Sequence, residues 1–195
     1  MYIDKAIKRQ IKFKKRFYTT MILLSILLPT ILYLSNIRSK FILGYLIVLE
    51  ILIFLAVLRR IDFYRLVFSC SNNKLKVRSG LFSKETIIIC DKVAIVHTSD
   101  IKDNIDIIIV SSIRYRSKLL KKVDKAFLQS YPEVNQEYLK LKRLNPDQNY
   151  YFQIIRKGAL NKYILLETIY KSCVKATYTT AAIDNIKIAR KQNEF

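Results

Sequence analysis

The chain has 195 residues, is 51% hydrophobic, and carries 35 Lys and Arg against 15 Asp and Glu, a formal net charge of +20. That composition excludes an acidic disordered chain, and three scattered cysteines exclude a disulfide-stapled secreted domain. A basic excess of this size attracts anions, but charge alone reads no sequence, so it does not make a nucleic-acid binder.

Residues 1–16 form a basic arm, with Lys5, Lys8, Arg9, Lys12, Lys14, Lys15 and Arg16 against Asp4. Ile3, Ile7 and Ile11 recur at helical spacing. The arm therefore reads either as an amphipathic helix on a membrane surface or as a disordered stop-transfer tail.

Residues 17–35 carry no charge, and residues 41–58 carry one, Glu50. About 20 apolar residues at 1.5 Å rise cross a hydrocarbon core of about 30 Å, and only helices satisfy their backbone there. The five-residue link 36–40 makes the predicted pair antiparallel, with both ends on one side. Seven basic residues precede the pair and Arg59, Arg60 and Arg65 follow it, while the link holds only Arg38 and Lys40. The positive-inside bias then puts both termini in the cytoplasm of a multi-pass cell-membrane protein. A cleaved signal peptide is the competing reading, disfavoured by the length of the first run and the second run that follows it.

Pro29 is expected to kink the first helix. Reflecting the hairpin about Arg38 places Glu50 at the depth of Ile26, within reach of Ser25. An intramembrane carboxyl is costly and marks a candidate site. It reads either as a structural hydrogen bond, to Ser25 or to another copy of the chain, or as part of an ion or proton pathway.

Residues 59–112 read as antiparallel β structure. The predicted strands are 62–69, 74–78, 85–90, 93–97 and 105–110, with a turn at Ser71 to Asn73 and a loop at 98–104, giving one meander. The residues Lys74 to Phe82, which include Leu-x-Val-x-x-Gly-Leu-Phe, and the apolar strand Glu85 to Val96 follow two membrane helices and an Asn-Asn turn. In this order they resemble the membrane-anchored bacterial PH-like proteins of the YdbS/YdbT type. The resemblance implies an accessory or interaction role in a bacterial inner membrane, and no catalytic residues. It covers about 50 residues and departs afterwards, since a PH-like domain ends in one helix.

Residues 113–195 read as mainly helical. From Ser117, Leu119, Leu120, Val123, Ala126 and Phe127 fall on one helical face and Lys118, Lys121, Lys122 and Lys125 on the other, preceded by Arg114 and Arg116. This basic face reads as solvated, or as docked on anionic lipid headgroups. Pro132 starts a further helix that ends at Asn145 to Asp147, 150–156 is strand or helix, and Asn161 and Thr180 are candidate caps of the last two. Leu165, Leu166, Ile169 and Cys173 make one stripe, Ile183 and Ile186 face inward, and Tyr131, Tyr138, Tyr150, Tyr151, Phe152, Tyr163 and Tyr170 read as core.

No nucleotide loop, metal-ligand spacing, cofactor motif or nucleophile motif is present. His97 is the only histidine and lies between apolar neighbours. Asp100, Asp103 and Asp106 lack the glycine and terminal Glu of a calcium loop. The expectation is an α+β membrane protein with a non-enzymatic cytoplasmic domain that scaffolds or regulates at the inner leaflet. Its partners would be anionic lipids and another membrane protein or itself. The alternatives are an oligomeric transport component using Glu50, and a membrane-tethered nucleic-acid binder.

Overall fold

The computed structural model describes residues 3–35, 39–101, 104–114 and 119–192. Helix α1 (Ile3–Leu34) joins the basic arm and the first apolar run into one element of 32 residues. It has no Gly, and its one Pro, Pro29, lies inside the helix without ending it. Helix α2 (Lys40–Tyr64) packs against it. The Asn36, Ile37 and Arg38 of the predicted link lie outside the described residues.

α2 continues past residue 58 through Asp62, Phe63 and Tyr64, which were predicted as strand. Extending an existing helix adds one bond per residue fixed, whereas a new element must be nucleated, so the helix persists until Arg65 turns extended. β1 (Leu66–Ser71), β2 (Lys74–Ser79) and β3 (Thr86–Ile89) then form an antiparallel sheet in that order. Asn72 and Asn73, at φ 49° and 60°, make the two-residue turn that Asn tolerates best after Gly.

A second sheet holds β4 (Val93–Ile101), β5 (Asn104–Ser111), β6 (Lys121–Lys122), β7 (Tyr151–Ile155) and β8 (Thr177–Tyr178). Its order is β6-β7-β5-β4-β8, antiparallel except for β4 with β8. The single predicted meander is thus two sheets, separated at a 3-10 turn (Cys90–Lys92), and β4 absorbs most of the predicted loop.

Helices α3 (Lys125–Ser130), α4 (Pro132–Leu144), α5 (Asn161–Ser172) and α6 (Thr180–Ala189) complete the fold. The helix predicted from Ser117 begins only at Lys125. Asp124 accepts a bond from the Phe127 N–H at 2.8 Å and starts the helix there, while Lys121 and Lys122 pair with β7. In α6 the cap is Thr179 rather than Thr180; Ala182, Asn185 and Ile186 are buried, and Ile183 is exposed. Asn161 lies inside α5 and makes no cap bond. Tyr170, read as core, is exposed beneath Arg190.

β5 is buried from Ile105 to Ser111 because both faces of its sheet are covered. On one face Ile95, Ile108 and Val110 pack with Phe127, Val134 and Tyr150 under α3 and α4. On the other, Ile107 and Ile109 join Leu75, Val77 and Ile88 of the small sheet and Leu165, Leu166 and Ile169 of α5. Ile3 enters this second cluster, with Ile7 packed against it. Ile3 and Ile7 therefore face the domain's own core, while Ile11 is exposed.

Candidate functional site

The two apolar helices meet at a polar contact midway along them. Ser25 Oγ donates to Glu50 Oε2 at 2.7 Å, and the other carboxyl oxygen, Oε1, is buried without a partner. Pro29 has no N–H to offer the Ser25 carbonyl four residues earlier, which adds a second under-bonded oxygen beside it. A groove of about 580 Å³ runs along the contact, walled by Met21, Ile22, Leu46, Ile47 and Phe54. Such a site can hold a proton, or hydrogen-bond a donor from another helix.

Toward the sheets, the hairpin ends in a layer of cations on aromatic rings. Arg60 lies 4.8 Å from the centre of the Phe17 ring and 5.1 Å from that of Tyr64. Lys14 lies 5.8 Å and 5.7 Å from the rings of Tyr18 and Tyr64. Each such contact contributes about 0.5–2 kcal/mol according to its exposure.

The same end is bonded into the domain. The Gly80 N–H reaches the Arg65 carbonyl at 2.7 Å, and the Gly158 N–H reaches that of Phe63 at 2.9 Å. Asp62 accepts from the Leu81 N–H at 2.7 Å and from Lys157 Nζ at 2.5 Å, and Lys157 with this N–H holds its carboxyl below the ordinary range. The arm is bonded from the other side: Gln10 Oε1 accepts from the Leu160 N–H at 3.1 Å, and Asp4 pairs with Lys191 at 2.6 Å.

The predicted basic residues fall on several elements. Lys5, Lys8, Arg9, Lys12, Lys15 and Arg16 recur at helical spacing and share one exposed face of α1, Arg59 is exposed at the end of α2, and Arg114 follows β5. Lys121 and Lys122 are adjacent on a strand, so they point to opposite faces and share no helical face with Lys125. Arg116 and Lys118 lie outside the described residues.

Three polar arrangements have no signal in the sequence. Lys162 is fully buried on α5; its Nζ donates to the Arg156 carbonyl at 2.7 Å and to Asp106 Oδ1 at 3.4 Å. Burial pushes the Lys162 ammonium down in pKa and Asp106 pulls it back up. Asp106 is thus a structural ion-pair member, while Asp103 and the side chain of Asp100 lie outside the described residues.

His97, 6% exposed, shares a hydrogen bond of 2.8 Å with Thr179, which caps α6, and lies 3.6 Å from Glu133. The cysteines, distant in sequence, converge as free thiols: Cys70 and Cys90 sulfurs are 3.9 Å apart, and Cys173 neighbours Cys90. Burial pushes the Cys90 and Cys173 thiols up, which keeps them protonated and unreactive. Among the described residues no three His, Cys, Asp or Glu side chains are arranged to hold a metal ion.

No family model, curated protein or solved structure matches the chain.

Proposed function

We propose that this is an integral membrane protein whose α+β domain is a non-enzymatic interaction module held at the inner leaflet. One observation carries the reading: no residue of α2 is buried, although its apolar window is as hydrophobic as a membrane span. A water-soluble chain would expose far more contiguous apolar surface than such proteins carry. The lysines and arginines stacked on aromatics at the domain end match the residue types found at a bilayer interface.

Both hairpin ends are bonded into one domain, which supports placing them on one side of the membrane. The basic excess near them favours the cytoplasmic side. A domain gripped by both helices suits relaying the position or assembly state of the hairpin to a partner. Crosslinking of the full chain in native membranes, with identification of what co-purifies, tests this: one dominant membrane partner is expected. A chain recovered in the soluble fraction, or captured without any partner, overturns it.

A second reading rests on the unpartnered Glu50 Oε1, which in an oligomer of hairpins would face a donor or a proton path. Glu50→Gln keeps the shape and removes the charge. Unchanged self-crosslinking and unchanged proton flux in reconstituted vesicles would remove this reading.

A further inference from the structure

A second cavity, of about 320 Å³, opens beside β6 and β7, and its lining includes Ser79, Ser83, Lys121, Gln153, Arg156 and Lys157. Three cationic side chains and two hydroxyls make it the most donor-rich hollow described here. Among the described residues, the carboxylates paired with these cations are Asp62, taken by Lys157, and Asp106, shared by Arg156 at 3.7 Å and Lys162. Positive charge is therefore in surplus, and Lys121 and the remaining donors of the Arg156 guanidinium are placed for an anion.

Gln153 is 8% exposed; its Nε2 donates to Thr86 at 3.1 Å, while its Oε1 is buried with no partner. A carbonyl oxygen left so in the wall calls for a donor, which an ionised phosphate diester does not supply but a free hydroxyl on its ester group does. The volume falls in the range of small-molecule sites and exceeds what one ion needs.

The cavity also sits at a defined height. Asp62 follows residue 58 by four positions, about 6 Å of helix, and a headgroup layer is about 5–7 Å deep on each side of the hydrocarbon. Asp62 holds Leu81 and Lys157, so the loop that carries Ser83 and the wall that carries Lys157 are fixed at that level. Phe82, on the same loop, is 82% exposed, an aromatic placed where the interface would be.

We propose that this cavity binds a phosphate ester bearing free hydroxyls, supplied by the headgroup of an anionic glycerophospholipid. Lys121 and Arg156 take the phosphate, Ser79 and Ser83 support it, and Gln153 accepts from a hydroxyl. The lipid source rests on the membrane placement above; the ligand chemistry does not.

The test uses the full chain in detergent, with phosphatidylglycerol, phosphatidylcholine and soluble glycerol 3-phosphate as probes. Native mass spectrometry reads retained lipid, and calorimetry reads the soluble ester. Phosphatidylglycerol should be retained over phosphatidylcholine and displaced by glycerol 3-phosphate. Lys121→Gln and Arg156→Gln should each weaken retention about tenfold, as loss of one charge-assisted bond implies. Ser83→Ala, on a surface loop, should weaken it less. Lys122→Gln, at a residue outside the cavity lining, should change nothing. Binding of glycerol 3-phosphate without lipid retention supports the same chemistry with a soluble source. Binding of neither probe, or equal losses in the Lys121 and Lys122 variants, overturns the proposal. Because the soluble probe needs no bilayer, a failed membrane placement and a failed cavity give different results.

Discussion

Lys162 and Asp106 show how much one charge depends on its partner once both leave water. Lys162 is 0% exposed and Asp106 4%. Asp106→Leu leaves the ammonium with one carbonyl and no counter-charge, so the full chain should lose about 3–5 kcal/mol in urea unfolding. Adding Lys162→Met should recover most of it, because the cost lies in the orphaned charge. Asp62 gives a pH-dependent counterpart. Its folded value lies below the 3.8 of the free carboxyl, so its stabilisation is fully present above about pH 4 and is lost as pH falls through the folded value. Asp62→Asn should cost about 1 kcal/mol at pH 7, a modest figure because Lys157 is 40% exposed. The gap between variant and parent should close below about pH 4, and a gap that stays constant with pH would assign the effect to packing.

The elements differ in how plainly the sequence declares them. The apolar runs, the Asn72-Asn73 turn and the Leu165, Leu166, Ile169 and Cys173 stripe stand where pattern places them, because each rests on local chemistry. Glu50 and Ser25 were also legible, since reflecting a hairpin about its link fixes which depths face each other. The arm was not: Ile3 and Ile7 recur at helical spacing whether a bilayer or a protein core covers them. Lys121 and Lys122 belong to a two-residue edge strand, too short for any alternation to show. The hairpin-to-domain joint was invisible because it depends on glycines whose neighbours come from far along the chain. Gly158 sits at φ +122°, and a Cβ there would come within 2.6 Å of the Leu66 side chain. Gly158→Ala should therefore destabilise the full chain by about 2 kcal/mol or more in denaturant unfolding. An unchanged midpoint would mean that Leu66 swings clear and the joint is loose.

Over the whole molecule, the hairpin is an insertion within the domain rather than an anchor in front of it. The core takes Ile3 and Ala6 from before the hairpin and everything else from after it. A chain containing only residues 61–195 would expose the surface that Ile3, Ala6 and Ile7 cover and lose the Gln10 and Asp4 bonds. Losing two buried apolar side chains costs about 3–4 kcal/mol, or about 10 °C in a domain of this size. Joining residues 3–16 to 61–195 through a Gly/Ser linker of about eight residues, long enough to bridge two packed helices, should return it. Differential scanning calorimetry of the two soluble chains makes the comparison. A joined chain that melts about 10 °C higher shows that the arm is part of the fold, so that any shift of α1 must be felt in the core. Equal melting would show that the arm merely rests on the domain, and the hairpin could then move without the sheets responding.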